Sequence, residues 1–256
     1  MDTKSKALEL KRLHEASEIL RVVNVWDAIT TKVMSEVDGT RAIATAGHSI
    51  AASHGYKDGQ IPLDIALDAL KRIVDATDLP VTADLDAGFG NPGETTRRAI
   101  GLGIVGANIE DRLKPADEFA RDVEAIMAAG EAEGVEFQLN ARTDAIVRGG
   151  DRPLAESLED AIERGRAYLA AGATLIFVPG KLDRASTEQL VEGLGRNKLS
   201  VIGVPGALSA REYQDLGVAR ISYGPWTQNY ALNAYQELAT RLYADGTVPE
   251  STKALN

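Results

Sequence analysis

The chain contains no cysteine. That excludes a disulfide scaffold, thiolate zinc sites and a cysteine nucleophile or acid. Basic residues are in short supply, with 28 Lys and Arg against 38 Asp and Glu and a net charge of −10. No basic stripe is present to displace counterions from phosphates, so no nucleic-acid partner is expected. Histidine occurs only three times. No apolar run approaches the roughly 20 residues that span a bilayer, and no membrane partner is expected. The opening MDTKSKALELKRLHEASEIL alternates charge with leucine, without the apolar core or cleavage site of a secretory leader. The expectation is a cytoplasmic protein.

What the chain does have is size and rhythm. Its 256 residues are 44% hydrophobic, enough for one large core, and single barrels of about 250 residues are common. Short apolar runs alternate with segments of helical period. The runs are Val22–Val25, Arg41–Ala46, Pro80–Leu85, Ala107–Glu110, Glu136–Ala141, Thr174–Val178, Ser200–Val204 and Ala219–Tyr223. Most are rich in Val, Ile and Ala on both faces, as in a parallel sheet covered on both sides. Helical segments follow them, from Ala28–Glu36 to Pro225–Ala244, giving eight strand–helix units with no linker between them. The predicted fold is therefore a single (β/α)8 TIM barrel over residues 1–256, with an extra N-terminal helix that plugs or flanks the barrel bottom.

In such a barrel, reactive residues belong at the C-terminal strand ends. Asp84 and Asp86 end the third strand, and their spacing of two places them on one face. A carboxylate pair buried between strand and helix would be very costly, so they are expected to face the mouth. Glu110 ends the next strand at the same height. At about 4 Å and an effective dielectric near 20, each like-charge pair costs on the order of 4 kcal/mol. The cluster should take up protons or hold a cation, and an all-oxygen donor set favours Mg²⁺ or Mn²⁺ with several waters. A competing reading has Asp84 or Asp86 cap the following helix or order the glycine turn. Arg142 ends the fifth strand, and beside a divalent ion its guanidinium suits a carboxylate- or phosphonate-bearing substrate; a structural ion pair with Asp144 or Glu110 is the alternative. Asp58, in the loop after the second strand, is either a mouth residue or a turn former before Gly59.

Other signals carry less. Gly101-Leu102-Gly103-Ile104-Val105-Gly106 fits G-x-G-x-x-G, but it follows a helix and enters a strand, the reverse of a dinucleotide fingerprint. It reads as a helix end and turn. His14 reads as a solvated residue of the first helix. His48 and His54 read as hydrogen-bonding loop residues, and Trp26 and Trp226 as packing residues after strands.

Taken together, these motifs resemble the isocitrate lyase / phosphoenolpyruvate mutase superfamily. The resemblance runs from Val23-Asn24-Val25-Trp26-Asp27-Ala28 to the last strand. It is strongest at Asp84-Leu85-Asp86-Ala87-Gly88-Phe89-Gly90-Asn91, at Ile109-Glu110-Asp111, at Ala141-Arg142-Thr143-Asp144-Ala145 and at Gly55-Tyr56-Lys57-Asp58. It implies a Mg²⁺-dependent barrel, a homo-oligomer (dimer or tetramer) whose subunits exchange the last helix, and α-keto or α-hydroxy acid substrates handled through a pyruvate-like enolate. By position, Asp84 would hold the metal, with Asp86 and Glu110 acting partly through water. Arg142 would bind the acid group, with the backbone around Ala46, Gly47 and His48. Asp58 would orient metal-bound water or substrate.

The chain departs from the family in two places. The lyase branch's K-[KR]-C-G-H loop is missing, and Asp111-Arg112-Leu113-Lys114-Pro115-Ala116-Asp117 runs directly into a helix. Lys114 is the nearest counterpart of the mutase branch's loop lysine. A short lid excludes water poorly, which disfavours phosphoryl transfer and suits decarboxylation, hydrolysis or retro-aldol cleavage. The expected activity is a Mg²⁺-dependent C–C lyase or decarboxylase acting on a small oxaloacetate- or malate-like acid. The alternatives are a phosphonate P–C enzyme and a catalytically weakened barrel that binds a keto acid.

Overall fold

The structure is a computed structural model and describes residues 1–254. The chain enters through α1 (Thr3–Glu15), whose first turn is capped by the Asp2 side chain. The strands β1 (Leu20–Val22) and β2 (Asn24–Val25) are two halves of one stave broken at Val23. After α2 (Ala28–Ser35), started by an Asp27–Thr30 capping box, come β3 (Ile43–Thr45), α3 (Gly47–Ser53) and α4 (Leu63–Asp75). Then β4 (Val81–Asp84), α5 (Pro92–Gly101), β5 (Gly106–Glu110), α6 (Ala116–Ala132), β6 (Gln138–Arg142) and α7 (Leu154–Ala170) follow in alternation. The round closes with β7 (Leu175–Phe177), α8 (Arg184–Leu194), β8 (Leu199–Ile202), α9 (Ala210–Leu216), β9 (Arg220–Ser222) and α10 (Trp226–Asp245).

All strand pairs are parallel, in the order β1-β9-β8-β7-β6-β5-β4-β3-β2. Leu20 pairs with Arg220 while Asn24 pairs with Ala44. The broken first stave therefore joins the last strand through one half and the second stave through the other, and the sheet meets itself as a (β/α)8 barrel. The apolar runs fall where the sequence places them because strands buried on both faces need branched residues throughout. Ile43, Val81, Ile109, Leu139, Ile176 and Val201 are fully buried, each contributing about 1.5–3 kcal/mol by area. On α4, Leu67, Leu70 and Ile73 recur at helical spacing and face the barrel.

Two features were not expected. The short helix α3 stands where the sequence suggests a loop. Ala46 before it offers no capping side chain, so the usual start signal is missing. His14 is buried, not solvated, with only 2% of its surface exposed. Ala7, Leu10 and Leu13 bury the same face of α1. A β-carbon on Gly106 would lie 2.9 Å from Leu10 Cδ2 and 2.7 Å from the Gln138 carbonyl oxygen. The glycine at the start of β5 thus lets α1 seat against the strand bottoms, which is the plug expected of it. By contrast α10 holds to the barrel by its first turn, where Thr227 donates to the Asn24 carbonyl and Gln228 to the Ser49 carbonyl, and of its 20 residues only Gln228 is buried.

Candidate active site

The strand register brings the charged residues together. Glu110 and Arg142 are direct neighbours on β5 and β6. Asp84 pairs with Asn108, and beyond it the Glu110 amide donates to the Asp86 carbonyl oxygen at 2.9 Å. Asp86 itself lies past the end of β4 with φ 49°. It faces the mouth through this left-handed turn and not through strand alternation. Asp58, Asp84, Asp86, Glu110 and Arg142 all line one cavity of about 250 Å³ at the C-terminal strand ends, with Ala46 and His48 on its wall.

Gly47 stands beside both aspartates. Its amide donates to Asp84 Oδ2 at 3.0 Å. A β-carbon there would sit 3.2 Å from Asp84 Oδ2 and 3.4 Å from Asp86 Oδ1. Both carboxylates thus converge on one small region, and the Gly47 amide, expected to receive substrate, is already committed to Asp84. Burial pushes the Asp84 carboxyl up from its ordinary value, while the nearby Arg142 charge pulls against it. Burial also pushes Asp86 up to about 7, reinforced by the charges of Asp84, Glu110 and Asp58. Asp58 is exposed at the rim, 3.8 Å from His48 Nδ1.

Glu110 is held differently. Arg142 Nη1 sits 2.8 Å from Glu110 Oε2, and Arg112 Nε donates to Glu110 Oε1 at 2.7 Å. Arg142 Nε also donates to Asp144 Oδ1 at 2.7 Å, and Arg148 to Asp144 Oδ2 at 2.7 Å. The ion-pair reading of Arg142 is therefore realised together with its position on the cavity wall. Among the described residues, no three His, Asp or Glu side chains enclose a ready-made metal cage. Among the described residues no arginine is hydrogen-bonded to Asp84 or Asp86, two hard oxygen donors, and Gly47 leaves space beside them. That set fits a water-rich Mg²⁺, with Glu110 set back behind its two arginines.

Three side chains here were given no role by the sequence. Arg112 and Arg148 line the cavity, and Arg112 follows a strand end, the one cue that could have flagged it. Asp111 is fully buried and accepts from Tyr168 Oη at 2.8 Å and from the amides of Leu113 and Asp144 at 3.0 Å, with Arg164 Nη1 at 3.4 Å. It moors the ends of β5 and β6 to α7. Lys114, the expected loop cation, instead turns away to pair with Asp122 and to lie 5.7 Å over the Phe119 ring.

The chain is similar to known proteins over most of its length. The family model described as phosphoenolpyruvate phosphomutase matches residues 10–243. A phosphoenolpyruvate phosphomutase of Tetrahymena pyriformis is 25% identical, over 94% of this chain and 84% of its own. A 2-methylisocitrate lyase of Halalkalibacterium halodurans is 28% identical, over 95% and 84%. The crystal structure of a 2,3-dimethylmalate lyase superposes with a TM-score of 0.84 at 26% identity, over 98% of this chain and 92% of that one.

Proposed function

Since the chain belongs to the phosphoenolpyruvate phosphomutase family, within the isocitrate lyase / phosphoenolpyruvate mutase superfamily of lyases and mutases, we propose that it is a Mg²⁺-dependent C–C lyase or decarboxylase. Its substrate is a small oxaloacetate- or malate-like acid, cleaved through a pyruvate-like enolate. The observation that carries this reading is the convergence of Asp84 and Asp86 in one cavity walled by Arg142. Asp84 and Asp86 would hold the ion. When bound, Mg²⁺ supplies Lewis-acid stabilisation of the charge that develops on the substrate's α-oxygen.

The protein's own residues supply position. Arg142 keeps its charge because Glu110, Asp144 and Asp84 outweigh the cost of its burial, and it aims that charge at the substrate's acid group. The Glu110 and Asp144 contacts fix its direction before substrate arrives. Asp58 at the rim orients water or substrate. The short connection from Glu110 to α6 leaves the mouth open to water, which a decarboxylation or hydrolytic cleavage tolerates. The 2,3-dimethylmalate lyase likeness supports a malate-like substrate. The exposed face of α10 supports a homo-oligomer built on that helix, and a cytoplasmic location belongs to the same reading.

The test is an assay of the purified protein with Mg²⁺ against C4–C6 diacids and phosphonopyruvate, following pyruvate and phosphate. Pyruvate without phosphate is expected, and Asp84→Ala should lower turnover by about a thousandfold, roughly 4 kcal/mol of transition-state stabilisation. Phosphate release from phosphonopyruvate, or turnover indifferent to Asp84→Ala, would overturn the proposal.

A further inference from the structure

We propose that Arg112 binds the second acid group of the substrate, so that the site selects α-keto or α-hydroxy diacids over the corresponding monoacids. This rests on the reading above, in which the first acid group and the α-oxygen are held at Asp84, Asp86 and Arg142.

The backbone supplies the first reason. Arg112 and Leu113 have φ of 47° and 60°, two successive non-glycine residues in a conformation that L side chains disfavour. Such conformations persist where the surroundings over-determine them, and they cluster at ligand sites. The consequence is directional: this turn lays the Arg112 guanidinium along the cavity wall. Its Nη2 lies 3.1 Å from where a β-carbon on Gly59 would stand, next to Asp58. Arg112 thus spans the mouth from the end of β5 to the loop before α4, and the glycine leaves it room.

The second reason is the state of its donors. Arg112 commits Nε to Glu110, while its two terminal nitrogens have no hydrogen-bond partner among the described residues. Arg142, with 25% of its side chain exposed, already spends Nε on Asp144 and Nη1 on Glu110. Its remaining capacity suits one acid group. Arg112, at 44% exposure, sits further out with a free guanidinium edge of the kind that grips carboxylates in two places. Arg142 and Arg112 are cations at two depths that match a molecule with an acid group at each end. Arg148, the third arginine on the wall, pairs through Nε with Asp144 at 52% exposure. It lacks the left-handed turn and the Gly59 clearance that carry Arg112 across the mouth. The cavity of about 250 Å³ equals roughly eight water volumes, the scale of a C4 or C5 diacid. Lys114 cannot share the role, since it is turned onto Asp122 and Phe119.

The experiment compares binding of malate with that of lactate, which shares its α-hydroxy acid end and lacks the distal carboxylate. Both are titrated calorimetrically into the full chain with Mg²⁺. The wild-type protein should prefer malate by tenfold or more, and Arg112→Gln should bring the ratio within threefold of unity. Arg112→Lys should retain part of the preference, keeping charge without the fork. A ratio unchanged in Arg112→Gln overturns the proposal, as does a wild-type ratio near one. So does loss of the ratio in Arg148→Gln with Arg112→Gln unaffected, which would hand the role to the other rim arginine. Oxalate binding with Mg²⁺ reports separately on the deep half of the site. Absence of oxalate binding in the wild-type protein sinks the functional reading itself, a result distinct from any change in the malate-to-lactate ratio.

Discussion

The two ends of the barrel treat buried charge in opposite ways. At the mouth every arginine on the cavity wall has a carboxylate partner: Arg112 with Glu110, Arg142 with Glu110 and Asp144, Arg148 with Asp144. At the base Arg220 is 1% exposed with one long contact, Nη1 to Thr82 Oγ1 at 3.5 Å, and its Nε has no partner. Among the described residues, the ring nitrogens of His14 and Gln138 Oε1 are likewise buried without a hydrogen-bond partner. Burial lowers the Arg220 pKa to about 10, with Asp84 in opposition. Burial, then the charge of Arg220, lowers His14 to about 3. The mouth is thus organised by ion pairs before any ligand arrives, whereas the base keeps buried polar groups unpaired beneath α1.

The strongest way to break this contrast is acid. A histidine held at about 3 when folded and at 6.5 when unfolded leaves stability flat above pH 6.5. As pH falls from there, the unfolded chain gains a proton that the native chain refuses, and stability drops until about pH 3. The gap converts to about 5 kcal/mol. Denaturant melts of wild type and His14→Leu across pH 7 to 4 should diverge accordingly, with the variant flatter; parallel curves would show that the base tolerates charge. Next in size is Arg142→Gln. Removing it leaves Glu110 and Asp144 short of a buried partner, which should cost about 3 kcal/mol of stability in a urea melt, besides loss of activity. A cost below 1 kcal/mol would mean the mouth is not held by its ion pairs.

Smaller effects are expected at the proposed metal site. Asp86, raised to about 7 mainly by burial, must lose its proton to hold a cation. Mg²⁺ affinity measured calorimetrically should fall about tenfold per pH unit below 7. In metal-free protein the same raised value costs stability as pH rises from 3.8 to 7, and added Mg²⁺ should restore it. Gly47→Ala places a methyl group 3.2 Å from Asp84 Oδ2 and should weaken Mg²⁺ by several-fold, about 1 kcal/mol.

Much of the mouth was legible because its logic is written in strand ends. Asp84, Glu110 and Arg142 each close an apolar run, and parallel register sets them at neighbouring heights. Arg112 was not legible, since only a left-handed turn swings it over the cavity, and an arginine after a strand otherwise reads as solvated. His14 was missed for a related reason. Its helix is dense in charge, and although Ala7, Leu10 and Leu13 mark an apolar face, His14 shares that burial only because α1 seats closely against Gly106. Lys114 misled through nearness in sequence, while Asp122 and Phe119 decided its direction. The helix α3 lacks a capping side chain, so its start had no local signature.

Asp111 has a consequence for how this scaffold can change. By gripping the Leu113 and Asp144 amides, Tyr168 and Arg164 at once, it secures the rim from the outer side of the barrel. Residues grafted between Leu113 and Pro115 would extend a cover over the opening while leaving that anchorage, and the acidic pair beneath, undisturbed. The same framework is thereby suited to acquire longer lids, and new chemistries with them, without rebuilding its floor.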